Sequence, residues 1–248
     1  MRIILSPAKK MVQNEEFFLP SSKPQFLNQT ECLMQTMQNM SYDQLKQIWK
    51  CSDRLTADNM ERLRYMDLYH HLTPALLSYE GIAYQHMAPR VFSEREMNYI
   101  NEHLRIVSGF YGILRPTDGV TSYRLEMGAK LQVGAYQDLY HFWHNQLADC
   151  LGQETNLIVN LASKEYSKAV APYLPSHVRM ITCVFAQRKG TKLIEQSTAC
   201  KMARGDMVRF LAEQEIEDPV HMQFYDRMHY HFVSEESEDS TYVFVKEN

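Results

Sequence analysis

Apolar residues recur along the chain with two different periods, and the two periods predict helices and strands in alternation. Ser41 and Gln44 form a capping box in front of an apolar stripe with helical spacing, which predicts a helix over about 41–50. A second helical stripe follows over 53–66 after a short break. Together these segments predict a helical pair at about 41–66.

Other segments are short apolar runs with the length of buried strands, or further helical stripes. The predicted strands are Arg2–Leu5, Arg105–Val107, Leu157–Val159, 178–186, 191–196, His229–Val233 and Thr241–Val245. Further helices are predicted after a Ser93–Glu96 capping box and over about 199–215. Because hairpins are mixed with interleaved helices, we predict an α+β (mixed α/β) fold. It would be a compact mixed sheet flanked by helices, in a single domain over 1–248.

Polar side chains follow three of the predicted strands at the point where each strand ends. If those strands are parallel neighbours, their carboxyl ends meet at one edge of the sheet, where ligands bind in folds of this kind. The side chains that would converge there are Ser6, Lys9, Ser108, Asn160 and Ser163. The alternative is that they are ordinary loop residues on different edges.

The segment SGFYGILRPTDGVTSYRLEMG at 108–128 combines four glycines with opposite charges. Arg115 and Arg124 offer planar forks that hold a phosphate or a carboxylate by two hydrogen bonds. Glu126 is placed to orient Arg124 or to act as a general base. The alternative is a structural ion pair that braces a loop.

Two other basic segments are candidates for anion binding. Lys201 and Arg204 are predicted near the start of a long helix, where the helix dipole favours anions, and a solvated basic face is the alternative. Lys50 and Arg54 lie near the connection of the helical pair, which has the length of a helix-hairpin-helix unit. The glycines typical of that hairpin are missing, so two packed core helices are the alternative.

Composition limits the function classes. Of 248 residues, 45% are apolar and 23% are charged, as in ordinary globular proteins, and the net charge of −4 means that a site for nucleic acid must be a local patch. The five cysteines are widely spaced without a C-x-x-C pair, which argues against a disulfide framework. The histidines show no complete ligand set. We therefore expect a cytoplasmic protein with no membrane segment, no cofactor and no metal site.

The chain resembles the YaaA family of bacterial peroxide stress proteins. The resemblance is carried by SPAKK at the N-terminus, LRIVSGFYGILRPTDGVTSYRLEMG, DLYHFW at 138–143, NLASKEYSK at 160–168 and KMARGDMVRF at 201–210. It implies a cytoplasmic protein that limits damage from unincorporated iron and binds DNA in a positively charged cleft. By position, the helical pair would be a helix-hairpin-helix-like element, and the cleft would be lined by Lys9, Arg115, Arg124, Lys201 and Arg204.

The main functional hypothesis is backbone-directed binding of duplex or distorted DNA during peroxide stress, without sequence specificity. Tyr111 and Tyr123 would be available to stack on an exposed base. The alternative is an enzyme of the lyase, glycosylase or hydrolase type acting on a nucleotide or a nucleic-acid base, with Lys9, Tyr123 and Glu126 as catalytic candidates. A small phosphorylated ligand is the alternative partner.

Overall fold

A computed structural model of the chain describes residues 1–13 and 19–246. The predicted single domain over 1–248 also includes residues 14–18 and 247–248, which lie outside the described residues. The helices are α1 Leu27–Gln38, α2 Tyr42–Trp49, α3 Asp53–Arg64, α4 Ala75–Ser78, α5 Ile82–Met87, α6 Glu94–His103, α7 Leu139–Trp143, α8 Gln146–Glu154, α9 Lys164–Ser167 and α10 Ser197–Glu213. The strands are β1 Arg2–Leu5, β2 Lys10–Met11, β3 Thr73–Pro74, β4 Tyr79–Glu80, β5 Leu104–Ser108, β6 Gly112–Leu114, β7 Gly119–Val120, β8 Leu157–Asn160, β9 Arg179–Lys189, β10 Lys192–Ile194, β11 Tyr230–Phe232 and β12 Thr241–Lys246. Short 3₁₀ turns lie at Pro89–Val91, Ala171–Tyr173, Pro219–Phe224 and Ser234–Glu236.

Within the described part of the chain, eight strands form one mixed sheet, in the order β11-β12-β9-β8-β1-β5-β6 with β10 paired to β9. The central strands β12, β9, β8, β1 and β5 run parallel, and the antiparallel strands lie at the margins. Side chains of β1 and β8 are buried almost throughout, as expected of parallel strands covered on both faces. The predicted mixed sheet flanked by helices is confirmed.

Strand β1 lies between β5 and β8, and all three are parallel. Ile3 pairs with Leu104 on one side and with Val159 on the other, so the three strands end side by side. This confirms the prediction that the segments following these strands share one edge of the sheet. We call this edge, with the residues that directly follow β1, β5 and β8, the carboxyl edge.

Both predicted capping boxes are present. Gln44 donates its backbone N–H to Ser41 Oγ at 3.3 Å, and Ser41 donates its own to Gln44 Oε1 at 2.8 Å. Ser93 and Glu96 repeat the exchange at the start of α6. These local signals place two helix starts correctly because each side chain satisfies an otherwise unpaired backbone N–H.

The helical pair exists as α2 and α3, which pack against one another across the connection Lys50–Ser52. The Ser52 side chain caps the start of α3, and the Asp53 carboxylate, bonded to Lys46 and to Tyr42, lies in its first turn. A capped helix start that already carries a carboxylate is less receptive to a phosphate. The helix-hairpin-helix character of this element is not confirmed. Within the described residues, none of the helices combines the length and apolar character that a membrane span requires.

Candidate functional site at the carboxyl edge

The carboxyl edge is held together by hydrogen bonds between segments that are distant in sequence. Ser6 Oγ accepts the backbone N–H of Ser163 at 2.9 Å and lies 3.3 Å from Ser163 Oγ. Asn160 is buried, with its amide oxygen bonded to the N–H of Ala162 and its amide nitrogen bonded to Thr182. Two of the predicted site residues, Ser6 and Ser163, are therefore in contact, and Asn160 holds the backbone just before Ser163.

Ser108 is fully buried and organises the turn that follows β5. Its Oγ accepts the backbone N–H groups of Phe110 at 3.1 Å and Tyr111 at 2.9 Å, and it lies 2.7 Å from the Tyr123 hydroxyl. All of its hydrogen-bonding capacity is thus directed inward. Ser108 positions the turn and has no access to a ligand.

Gly109 explains part of the glycine content of 108–128. A β-carbon at Gly109 would lie 2.9 Å from the carbonyl oxygen of Leu125 and 3.0 Å from the backbone nitrogen of Met127. Distances this short are excluded for real side chains, so the turn and the segment 125–127 touch backbone to backbone. This contact fixes the segment that carries Arg124 and Glu126.

Glu126 bridges two cations, and we call Lys9, Glu126 and Arg124 the first trio. Lys9 Nζ lies 2.7 Å from Glu126 Oε2, and Arg124 Nη2 lies 3.2 Å from Glu126 Oε1. Trp49, at the end of α2, donates its indole N–H to the Arg124 carbonyl oxygen at 2.5 Å. The backbone carbonyl oxygen of Trp49 accepts a hydrogen bond from Arg124 Nη2 at 3.5 Å. Arg124 is 14% exposed, whereas Lys9 is 65% exposed. The trio therefore runs from a buried guanidinium to a solvated ammonium.

A small cavity lies behind the first trio. Residues 7–9, 123–126 and Tyr166 line it, and its volume of about 10 Å³ matches roughly one water molecule. With Glu126 in this position, the cavity is too small for a phosphate or a base. A ligand at this site contacts the outer face of the trio, or it displaces Glu126.

Tyr111 and Tyr123 are not available to stack on a base, contrary to the sequence-based prediction. Tyr111 is fully buried, Tyr123 is 9% exposed, and both rings pack against Phe110. Tyr123 also bonds to Tyr79 through their hydroxyl groups at 2.8 Å. Burial raises the pKa of Tyr123 to about 12, with its hydrogen bonds to Ser108 and Tyr79 opposing the shift, so the phenol stays protonated near neutral pH.

A second set of charges lies beside the first, and we call Lys164, Glu195 and Arg204 the second trio. Glu195 lies 3.4 Å from Lys164 Nζ and 3.9 Å from Arg204 Nη2. Lys164 directly follows Ser163, which is bonded to Ser6. The helix α10 begins at Ser197, so Arg204 is in its third turn and beyond the reach of the dipole argument made from sequence. Glu195, rather than the helix start, is therefore the charged partner of Arg204.

Lys201 and Arg204 lie on neighbouring faces of α10, three residues apart. Lys201 is exposed, and Arg204 is 14% exposed. Arg204 also faces β9, where burial raises the pKa of the Cys183 thiol to about 12 and the Arg204 charge opposes that shift. Of the three basic residues of α10, Arg204 belongs to the second trio, Arg209 pairs with Glu213, and Lys201 is exposed.

Arg115 is not part of this cluster. It follows β6, which runs antiparallel to β5, so it lies level with Arg105 and about 10 Å from Ser108 at about 3.3 Å per residue. There it lines a separate cavity of about 330 Å³ with Lys23, Cys150 and Glu154. The sequence placed Arg115 in the cleft because it is close to Arg124 in the chain, but the reversal of direction at Gly112 carries it to the opposite edge.

Lys50 and Arg54 lie at the other side of Trp49. Lys50 ends α2 with a left-handed backbone conformation, φ 45°, and lines a groove of about 570 Å³ with Lys130 and the side chains of Gln44, Gln47 and Gln132. No carboxylate lines this groove in the part of the chain that the structure describes. Arg54 is exposed in the first turn of α3 and is absent from the lining.

Several residues of the edge escaped the sequence reasoning. Lys164 lies inside the NLASKEYSK motif, and the position of this motif directly after a strand could have indicated a site residue. Glu195 follows a short, mostly exposed strand, and no sequence pattern marks it as a site residue. Tyr84 donates its hydroxyl to the Ser6 carbonyl at 3.1 Å from a helix with no motif. Within the described ranges, no three His, Cys, Asp or Glu side chains are grouped as a metal ion would require.

Comparison with known proteins gives a consistent family. A family model described as peroxide stress protein YaaA matches residues 1–236. A UPF0246 protein of Lachnoclostridium phytofermentans is 49% identical over 246 residues, which cover 99% of this chain and 96% of the relative. A UPF0246 protein of Lactiplantibacillus plantarum is 46% identical over 245 residues, which cover 99% of each chain.

Proposed function

This chain belongs to the peroxide stress protein YaaA family, and from that membership we propose that it protects a cytoplasm under peroxide stress by binding DNA at the carboxyl edge. The binding is directed at the phosphate backbone of duplex or distorted DNA and does not depend on sequence. Bound protein would limit the damage that unincorporated iron causes to DNA by shielding the backbone from locally formed hydroxyl radicals.

The observation that carries the proposal is the convergence of cations from four separate segments on one edge of the sheet. These cations are Lys9, Arg124, Lys164, Lys201 and Arg204. The net charge of the chain is −4, so this cluster is a local basic patch on an acidic protein. Backbone-directed binding needs such a patch and no base-reading element.

The groove that contains Lys50 and Lys130 supports the same proposal. Its glutamine side chains offer neutral hydrogen-bond donors beside two exposed ammonium groups. Trp49 connects it to the first trio, because Trp49 contacts Arg124 while the next residue, Lys50, lines the groove. A backbone that follows both surfaces would be contacted at more than one phosphate.

Fluorescence anisotropy with labelled intact, gapped and bent duplexes across a salt series tests the proposal. Five phosphate contacts would give a log–log slope of roughly −4 to −5. The Arg124→Gln, Lys201→Gln double variant should flatten the slope by about two. The matched control, Arg95→Gln with Arg227→Gln, removes the same charge from arginines paired with Glu215 and Glu213 near the end of α10. A slope unchanged in the first variant, or flattened equally in the control, would contradict the assignment.

The protective role is tested separately. Strand breaks in a plasmid exposed to Fe(II) and peroxide should fall when the protein is added at low salt, and the protection should disappear at the salt concentration that releases the DNA. Protection that persists without binding would contradict a shielding mechanism.

A second candidate function is an enzyme of the lyase, glycosylase or hydrolase type acting on a nucleotide or a base. The 2.7 Å contact between Lys9 and Glu126 favours it, since a lysine beside a carboxylate is a common acid–base arrangement. A Glu126→Gln variant that binds DNA at least as well as the natural protein but no longer protects it would favour catalysis. Loss of binding and protection together would argue against it.

A further inference from the structure

Two arginines at the carboxyl edge each have a buried Nε without a hydrogen-bond partner. Among the described residues, the buried side-chain polar atoms without a hydrogen-bond partner are Asn101 Oδ1 and the Nε atoms of Arg124 and Arg204. In both arginines Nη2 faces a carboxylate oxygen, at 3.2 Å from Glu126 and at 3.9 Å from Glu195, while the adjacent Nε is unpaired. Nε and Nη2 together form the edge that matches two oxygens of one phosphate.

Arg95 is an arginine of the same protein in which both Nε and Nη2 are paired with one carboxylate. Its Nε bonds to one carboxylate oxygen of Glu215 and its Nη2 bonds to the other. Arg95 is 80% exposed, where water alone could satisfy its donors, yet it is fully paired. Arg124 and Arg204 are each 14% exposed, where an unpaired charged donor is costly, yet each lacks a partner at Nε.

The two trios have the same construction. Each has an exposed lysine, a glutamate that bridges, and a buried arginine with an unpaired Nε; the lysines Lys9 and Lys164 are 65% and 93% exposed. In each trio the glutamate lies where an anionic ligand would contact both cations. It is therefore placed as an internal substitute for that anion, and its geometry satisfies the arginine only partly.

The trios are also neighbours. Ser6 and Ser163 are in direct contact, three residues before Lys9 and one before Lys164. On the other side, Gly205 next to Arg204 packs against Ala83, and the adjacent Tyr84 bonds to the Ser6 carbonyl. Both trios thus flank the Ser6–Ser163 contact, which places two anion positions side by side.

From this arrangement we propose that the carboxyl edge binds a ligand with two neighbouring phosphate groups, one in each arginine fork, and that Glu126 and Glu195 swing away when it binds. The inference rests on the proposed function, in which this edge binds phosphate, and it adds the number of phosphates and the two glutamates that compete with them. Linked phosphates of a nucleotide and consecutive phosphates of a DNA strand share this chemistry. Displacement of Glu126 also opens the cavity behind it.

Nitrogen-15 NMR of the arginine Nε–H groups in the full-length protein tests the proposal. The signals of Arg124 and Arg204 are assigned from Arg124→Lys and Arg204→Lys, and Arg95 is the internal control. Pyrophosphate should shift both signals with one binding curve and leave Arg95 unmoved, and inorganic phosphate should bind more weakly. If neither signal moves, if only one moves, or if Arg95 moves equally, the proposal is overturned.

The glutamates give an independent test that does not depend on the arginine variants. Glu126→Gln and Glu195→Gln should each raise the affinity for pyrophosphate about two- to tenfold, because each removes a competing carboxylate. The matched control is Glu236→Gln, which removes the partner of Arg188 at an exposed ion pair and should leave the affinity unchanged. Unchanged or weaker binding in both test variants would overturn the role of the glutamates.

Two further titrations identify the source of the phosphates. If ADP shifts both Nε signals and a short single-stranded oligonucleotide does not, the ligand is a nucleotide; the reverse result points to consecutive phosphates of a strand. DNA binding that is steeply salt-dependent while both Nε signals stay fixed would leave the proposed function standing and would overturn this inference. Pyrophosphate binding without any DNA binding would overturn the proposed function and would leave this inference standing.

Discussion

A β-carbon on Gly205 would lie 1.9 Å from the carbonyl oxygen of Ala83. The helices α10 and α5 therefore touch backbone to backbone, at a distance that no residue other than glycine allows. Arg204 is the neighbour of Gly205, and Tyr84, the neighbour of Ala83, bonds to Ser6. The same helix contact thus supports the core and sets the position of the second trio.

Gly205→Ala should destabilise the protein by about 3 kcal/mol or more, because the obstacle is backbone and the helices must separate. Gly152→Ala is the matched control, since Gly152 is also helical and its nearest obstacle is the Pro175 side chain at 2.9 Å. Urea denaturation of both variants measures the free energies of unfolding. Equal losses in the two variants would contradict the backbone contact.

At the other edge of the sheet, Glu154 joins two arginines from neighbouring strands. Its Oε2 lies 2.8 Å from Arg2 Nε and 2.6 Å from Arg105 Nη2, and the Arg105 side chain is 5% exposed. Burial alone would raise the pKa of the Glu154 carboxyl, but the hydrogen bonds from Arg105 and Arg2 outweigh it and the pKa is lowered. A buried cation is thus paired with a carboxylate that ionises readily.

Glu154→Gln should cost about 3–5 kcal/mol at neutral pH, because it leaves Arg105 buried without a counter-charge. Since the folded-state pKa of Glu154 is lowered, its contribution to stability is present above its ordinary pKa of 4.5 and is lost as pH falls below that value. The difference between the natural protein and the variant should therefore shrink in acid. Denaturant titrations at neutral and acid pH measure it, and a constant difference would contradict the ion pair.

The order of the central strands could be predicted from the sequence, and with it the edge at which the candidate site lies. The polar residues after β1, β5 and β8 were expected to converge if the strands were parallel neighbours, and the register shows that they are. Buried apolar runs determine that arrangement because only a strand covered on both faces can be so apolar. Capping boxes succeeded for a similar reason, since they depend on contacts three residues apart.

Rules based on local sequence patterns do not predict contacts between segments that are distant in the chain. The reversal of direction after Gly112, with its φ of 73°, separates Arg115 from Arg124 although they are nine residues apart in the chain. The turn-rich sequence of 108–128 predicts tyrosines that can stack on a base, but the turn folds inward and packs them on Phe110. Glu195 pairs with cations 31 and nine residues away, which no local pattern encodes.

Gly109→Ala tests whether the turn after β5 controls the first trio. The added carbon would press on the backbone of 125–127, so a stability loss of about 1–3 kcal/mol is expected, and the proposed DNA binding should weaken. Gly190→Ala is the control: it lies between β9 and β10, has open space around it and a φ of 61°, so it should lose stability through backbone strain without affecting DNA binding. Unfolding titrations and anisotropy measure the two effects. A Gly109→Ala protein that binds DNA normally would contradict the coupling.

Tyr123→Phe should weaken folding near neutral pH, and the difference in stability from the natural protein should shrink as pH rises above 10. The variant loses hydrogen bonds to Ser108 and Tyr79, which should cost about 1–2 kcal/mol. In the natural protein, burial raises the pKa of Tyr123 from 10 to about 12, so above pH 10 the unfolded chain releases a proton that the folded chain keeps. Stability therefore falls between pH 10 and about 12, by roughly 1.4 kcal/mol per pH unit for this one phenol.

The Tyr123→Phe protein lacks that proton. Its free energy of unfolding should therefore decline less steeply over the same pH range, by roughly 1.4 kcal/mol per pH unit. Tyr65→Phe removes a hydroxyl from a side chain that is 74% exposed and should keep the slope of the natural protein. Urea titrations at a series of pH values from about pH 9 to about pH 11 measure the slopes. Because Tyr79 and Tyr111 are buried and their pKa values are also raised, a residual decline should remain in the variant. Identical slopes in the natural protein and Tyr123→Phe would show that Tyr123 does not keep its proton in the folded state, and the buried hydroxyl network around Ser108 would then be wrong.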